Sequence, residues 1–102
     1  MSAEDHRRWP HPIFLDLDGQ PVVVIGGGAV AERKIDALLA ASARITVVSP
    51  KVTPAIAAWA AEGRLSVSLR PYREGDLAGA RLAYAATSDM AVNHAVRDEA
   101  RA

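Results

Sequence analysis

The stretch Val22-Val23-Val24-Ile25-Gly26-Gly27-Gly28-Ala29-Val30-Ala31 decides the fold. Its four unbroken β-branched residues predict a strand buried on both faces of a parallel sheet, because a face turned to water would impose alternation. Three glycines end that strand. Behind them Ala31, Ile35, Leu38 and Leu39 recur at helical spacing, with Glu32, Arg33, Lys34 and Asp36 mostly on other faces, so a crossover helix is predicted from Ala29 to Ala41. Gly26 to Ala31 satisfies G-x-G-x-x-A between strand and helix. Gly26 permits the tight turn, Gly28 removes the side chain that would obstruct a pyrophosphate, and Ala31 lets the helix pack close to the strand. The backbone N–H groups at the positive end of the helix then suit a dinucleotide phosphate pair. A glycine turn that serves packing alone is the other reading of the bare hexapeptide, and the strand and helix around it argue against that reading.

Working outward, Arg44 to Ser49 reads as a second strand closed by Pro50. Thr53 as N-cap, Pro54 at the first helical position and Gly63 as terminator bracket a second helix, with Ile56, Trp59 and Ala60 on one face. Leu65, Val67 and Leu69 alternate with Ser66 and Ser68, which predicts a third strand near a sheet edge, limited by Pro71. Leu82 to Ala86 gives a fourth strand, and Val92, Ala95 and Val96 begin a last helix that is still running at Ala102. Upstream, Ile13, Phe14, Leu15 and Leu17 read as a short strand or hairpin arm before an Asp18-Gly19 turn. We therefore expect a flexible arm over residues 1–12 and one dinucleotide-binding domain over 13–102, incomplete at its carboxyl end. The fold class is α/β: a Rossmann-like parallel sheet with flanking helices, strand order 3-2-1-4, truncated after the fourth main strand and its helix.

Composition narrows the function. Twelve basic residues balance twelve acidic ones in 102, so no net field draws the chain to nucleic acid or an anionic membrane, and any anion must be held by local geometry. With no cysteine there is no disulfide, thiolate zinc site or cysteine nucleophile, and the chain suits a reducing cytoplasm, where we expect it. No apolar run is long enough to span a bilayer. His6, His11 and His94 lack metal-ligand spacing, so no metal is expected. Trp59 reads as a core or interface aromatic and Arg33-Lys34 as a solvated helix face. No nucleophile and base pair up, so no catalytic residue is assigned.

Two further segments bear on the ligand. About twenty residues past the glycine loop, where many NAD-binding folds place an acid for the ribose hydroxyls, stands Ser49-Pro50-Lys51. Ser49 and backbone groups can bind a ribose there; Lys51 either tolerates a 2′-phosphate or is a solvated cation, so the residues leave NAD and NADP both open. At the end of the fourth strand, Thr87 and Ser88 are placed to line the nicotinamide half, while Ser88 or Asp89 serves equally well as the cap of the last helix. Asn93 either reaches back to that loop or sits in the first helical turn.

Taken together, Pro12-Ile13-Phe14, the run from Val24 to Lys34 (VIGGGAVAERK) and Ala85-Ala86-Thr87-Ser88-Asp89 resemble the amino-terminal module of the siroheme synthase and precorrin-2 dehydrogenase family. Ala43 to Pro50, Trp59 to Gly63 and Val92-Asn93 extend the match to nearly everything from Pro12 onward. The resemblance implies an oxidoreductase of siroheme biosynthesis, a porphyrin-type pathway, that oxidises precorrin-2 to sirohydrochlorin with NAD, and in some members inserts iron. It implies that Ala29, Val30, Pro50 and Lys51 lie against the cofactor. It also implies a catalytic aspartate after a further strand, which this sequence does not reach. We accordingly expect a piece that holds the cofactor with little or no activity alone, whose longer form takes precorrin-2 as partner. Self-association to a homodimer or a swapped oligomer through the fourth strand, bearing Leu82 and Tyr84, is also expected. A non-catalytic dinucleotide-sensing module, or a mere packing domain, are the readings it competes with.

Overall fold

Pro21–Ile25 forms β1, and its neighbours explain why its apolar run is unbroken. The computed structural model describes residues 16–101; the arm expected over 1–12 and the Ile13-Phe14-Leu15 segment lie outside the described residues. Beyond β1 the chain runs through α1 (Ala29–Ala40), β2 (Arg44–Val48), α2 (Pro54–Ala61), β3 (Ser66–Ser68), β4 (Leu82–Ala85) and α3 (Met90–Arg101). The four strands make one parallel sheet in the order β3-β2-β1-β4, as the alternation of elements predicts.

Successive β1 side chains enter opposite cores. Val22 and Val24 pack with Ile45 and Val47 of β2, with Ala31, Ile35 and Leu38 of α1, and with Ile56 of α2. Val23 and Ile25 pack on the other face with Val48, Leu77 and Val96 of α3. The helices thus cover both faces, α1 and α2 on one and α3 on the other. Ile35 and Ile56 are fully buried and fasten their helices to the sheet; cutting either to Ala costs about 2–5 kcal/mol.

Helix punctuation follows local chemistry. Thr53 caps α2, its Oγ1 accepting from the Ile56 amide at 3.3 Å, with Pro54 behind it. Gly63, at φ +76°, ends the helix: its N–H bonds the Ala60 carbonyl and that of Arg64 bonds the Trp59 carbonyl, each at 3.0 Å. The end of α1 has the same paired bonds, from Ser42 to Leu39 and from Ala43 to Leu38, but there a serine takes the left-handed position, φ +60°.

Two expectations need correction. Leu69 does not continue β3: the Arg70 amide turns back to the Ser68 carbonyl at 3.0 Å, a three-residue turn that lifts Leu69 out of the sheet and leaves it 67% exposed. The Asp18-Gly19 turn introduces no hairpin to β1, because β2 and β4 occupy both sides of that strand in parallel register. Instead Gly19 and Gln20 tie to the end of α1 and the start of β2, through Gly19 N–H to the Ser42 carbonyl and Arg44 N–H to the Gln20 carbonyl, both 2.9 Å. Among the described residues no helix is long and apolar enough to cross a membrane, and no group of three His, Cys, Asp or Glu could hold a metal.

Candidate functional site

The chain leaves β1 toward β2 on one side and places β4 on the other, so a crevice opens at the carboxyl ends of these strands, where open α/β sheets bind ligands. A cleft of about 750 Å³ lies there, within the size range of small-molecule sites. Its walls come from the glycine loop, the ends of β2 and β4, the Pro71-Tyr72 segment after β3, and Val92 of α3.

The three glycines differ in their surroundings. Gly26, at φ +125°, lies against the Ala86 backbone: a Cβ there would sit 2.7 Å from the Ala86 carbonyl carbon. Gly27 is closed off by the Lys51 carbonyl and by Val52, whose Cγ1 would be 2.8 Å away, and its own carbonyl accepts from the Thr53 amide at 2.9 Å. Gly28 has nothing within 4 Å of a Cβ. It is the N-cap of α1, and no side chain caps that helix. The first helical bond runs from Glu32 N–H to the Gly28 carbonyl, 2.9 Å, so the amides of Ala29, Val30 and Ala31 have no acceptor within the helix. An anion in the open space beside Gly28 would meet unpaired donors and the positive end of the helix dipole. Val30, 62% exposed, adds an apolar surface to the cleft, whereas Ala31 is buried beneath it and packs α1 against β1.

The β2 wall is preset by its own bonds. Ser49 is buried, and its hydroxyl donates to the Lys51 carbonyl at 2.6 Å, leaving the oxygen only acceptor capacity toward a ligand. Pro50 lines the cleft; Lys51 does not, and its side chain is exposed. At the β4 wall, Asp89 is the cap of α3, its Oδ1 accepting from Ala91 and Val92 amides at 2.9 and 3.3 Å. Ser88 is thereby left exposed at the cleft. Asn93 does reach back: its Oδ1 accepts from the Thr87 hydroxyl at 2.8 Å and its Nδ2 donates to the Thr87 carbonyl at 2.9 Å. Thr87 thus holds the loop in shape.

Pro71, Tyr72 and Val92 are cleft residues that sequence reasoning missed. Tyr72 donates its hydroxyl to Glu99 Oε1, and Glu99 Oε2 accepts from the Leu77 amide at 3.0 Å. Burial, and then the Glu99 carboxylate, push the Tyr72 phenol up to about 12, so it stays protonated at neutral pH. The same bond holds the Glu99 carboxyl below its ordinary value. Arg70 forks onto Asp76 at 2.6 and 2.8 Å, which lowers the Asp76 carboxyl, and the Arg73 amide adds a bond of 2.8 Å. One signal was available: Val92, Val96 and Glu99 stand at i, i+4 and i+7, so a carboxylate falls on the apolar face of α3.

Residues 13–102 match the model of a family described as "Putative NAD(P)-binding". The chain is 46% identical over its whole length to a siroheme synthase of Gluconacetobacter diazotrophicus, spanning 22% of that protein. A siroheme synthase of Methylobacillus flagellatus is 45% identical over 89% of this chain, which spans 20% of that relative. A precorrin-2 dehydrogenase of Priestia megaterium is 41% identical over 85% of the chain, which spans 43% of it. Among solved structures, SirC, a precorrin-2 dehydrogenase, superposes with a TM-score of 0.83 at 41% identity, over 86% of this chain and 44% of SirC. The chain therefore spans less than half the length of the relatives it matches.

Proposed function

Because the chain belongs to this NAD(P)-binding family, matched over residues 13–102, we propose that it is the NAD-binding portion of a precorrin-2 dehydrogenase, which oxidises precorrin-2 to sirohydrochlorin in siroheme biosynthesis. The observation that carries the dinucleotide reading is the contrast within the glycine loop: Gly26 and Gly27 are packed against backbone, while Gly28 opens onto uncapped amides at a helix N-terminus. The names of the relatives, at 41–46% identity, support the choice of substrate.

In this reading the amides after Gly28 hold the pyrophosphate, with Ala29 and Val30 against it; Gly26, Gly27 and Ala31 keep the loop close to the sheet. Ser49, Pro50 and the adjoining Lys51 backbone bound the adenosine ribose, and Thr87 and Ser88 the nicotinamide end. When bound, NAD supplies the hydride acceptor for the reduced tetrapyrrole. The residues of this chain bind and orient it: the charge-neutral protein holds a dianion through local amides, and the apolar Val30 and Val92 exclude water from the cleft. A cytoplasmic setting belongs to the same proposal and agrees with the absence of cysteine.

Calorimetric titration of this chain with NAD, NADH and NADP tests the binding step, and titration of precorrin-2 into the NAD-saturated chimera in which this chain replaces the matching part of a full-length relative tests the substrate. Saturable NAD binding by the chain, and NAD binding by the chimera that precorrin-2 strengthens, are the expected results. A dinucleotide sensor would bind NAD and ignore precorrin-2; a chain that binds no dinucleotide defeats the reading altogether.

A further inference from the structure

Tyr72 and Glu99 stand 27 positions apart, and neither belongs to the glycine loop or to the loop after β4. The connection from β3 to β4 crosses the face of the sheet that α3 covers. Arg70, Arg73 and Asp76 bond the first part of that connection to itself, which shapes it without attaching it to the rest of the molecule. Leu77 anchors the connection in the core beside Val23, Ile25, Val48 and Val96, and the side-chain hydrogen bonds that tie the connection to α3 come from Glu99, whose two oxygens take the Tyr72 hydroxyl and the Leu77 amide. The first is on the cleft wall and the second heads a buried leucine.

The sides of the cleft can be told apart. Pro71 and Tyr72 follow β3, on the β2 side with Pro50, whereas Thr87 to Asp89 follow β4 on the opposite side of β1. A dinucleotide whose phosphates lie at Gly28 extends one nucleoside each way. The β2 side, where such folds select the ribose, takes adenosine. Tyrosine offers an apolar ring to a base and needs a partner for its hydroxyl when half-buried; Glu99 is that partner.

We propose that Glu99 is a positioning residue for the cofactor cleft: by holding the Tyr72 hydroxyl and the Leu77 amide it fixes the β3-to-β4 connection so that Tyr72 and Pro71 wall the adenosine half of the dinucleotide. This rests on the dinucleotide reading above. A merely structural bond would alter stability without distinguishing one half of the cofactor from the other. Fixing the ring before binding removes an ordering cost from the adenosine half alone.

The test uses Tyr72→Phe, which keeps the ring, Glu99→Ala, and the double variant, each titrated calorimetrically with NAD, ADP-ribose and nicotinamide mononucleotide. Each single variant weakens NAD and ADP-ribose by about tenfold and nicotinamide mononucleotide by less than about twofold, and the double variant is no weaker than either single, as expected when both remove one interaction. With Tyr84, the only other tyrosine, changed to Phe, Glu99→Ala also moves the Tyr72 phenol titration down from about 12 toward its ordinary 10.0. Equal weakening of ADP-ribose and the mononucleotide in variants that melt cooperatively, or no weakening of either, overturns the proposal while leaving the dinucleotide reading intact. A parent chain that binds none of the three ligands defeats both.

Discussion

The main chain of Ala86 closes on Gly26, so that a Cβ at Gly26 would lie 2.7 Å from the Ala86 carbonyl carbon and 3.2 Å from the Thr87 Cγ2. The loops after β1 and β4 meet there with no room for a side chain, and the backbone of Gly26 is in addition at φ +125°. Gly26→Ala therefore meets both steric overpacking and backbone strain, and should destabilise the fold by about 3 kcal/mol or more. Gly79→Ala is the control, since Gly79 has positive φ but nothing within 4 Å of a Cβ. Urea denaturation should show Gly26→Ala costing at least about twice as much as Gly79→Ala. Equal costs would mean that the contact with Ala86 does not constrain the loop.

Gly28 predicts the reverse pattern. Its φ of −88° suits any residue, open space surrounds it, and α1 lacks a side-chain cap, so Gly28→Asp should fold normally and gain a few tenths of a kcal/mol as an N-cap. The same carboxylate would stand where the phosphates belong. NAD affinity should fall more than tenfold, a loss of about 1.4 kcal/mol or more. A well-folded Gly28→Asp chain that binds NAD as the parent does would remove the phosphates from this loop.

What the sequence made legible was whatever has a period or a steric reason of its own. The double-faced burial of Val22 to Ile25, the capped α2 and the strand order all follow from patterns along the chain, and so do the turn at Gly26 and the opening at Gly28. Gly27 shows the limit: it sits at a position the motif leaves free, and its need to be glycine comes from Lys51 and Val52, more than twenty residues on. Tyr72 was invisible for the same reason, because an irregular connection has no period, and the carboxylate of Glu99 on the apolar face of α3 gave a signal without its partner, since their bond exists only once α3 lies under the β3-to-β4 crossing. Leu69 misled because alternation continues past the residue where a three-residue turn ends the ladder.

Ser42 offers a gain. It closes α1 at φ +60°, where L-residues bear a cost that glycine avoids. Ser42→Gly should raise stability by roughly 0.5–1 kcal/mol, the relief of strain exceeding the added freedom of the unfolded chain. A denaturation midpoint that stays the same or falls would show that the serine is unstrained there.

Stability should form a plateau in pH with two different edges. Asp76, held down chiefly by Arg70, and Glu99, held down chiefly by the Tyr72 hydroxyl, have lowered folded-state values. Their contributions are present above the ordinary carboxylate values, 3.8 and 4.5, and are lost as pH falls through the lower folded ones. Tyr72 is the opposite case: raised from 10.0 to about 12, it contributes fully below 10 and loses its contribution as pH climbs toward 12. Denaturation midpoints taken across the range should therefore fall at both ends, and Tyr72→Phe should remove the Tyr72 contribution to the alkaline edge. An alkaline edge unchanged in Tyr72→Phe would separate it from this phenol.

β4 pairs with β1 on one side and, among the described residues, with no strand on the other. Parallel sheet edges template further strands unless a charge or bulge blunts them. Here Leu82 and Tyr84 are only half buried, Lys34 lies over the Tyr84 ring at 4.7 Å and so packs against the strand's surroundings rather than guarding its edge, and the exposed Arg81 stands before the first residue of the strand rather than within it. We expect a homodimer joined along β4. Scattering should then give a mass that rises with concentration, and hydrogen exchange should show β4 amides gaining protection over the same range while those of β3, the other edge, do not. A single-chain mass at the highest soluble concentration would rule this pairing out, and protection that appeared at β3 alone would move the interface to the opposite edge.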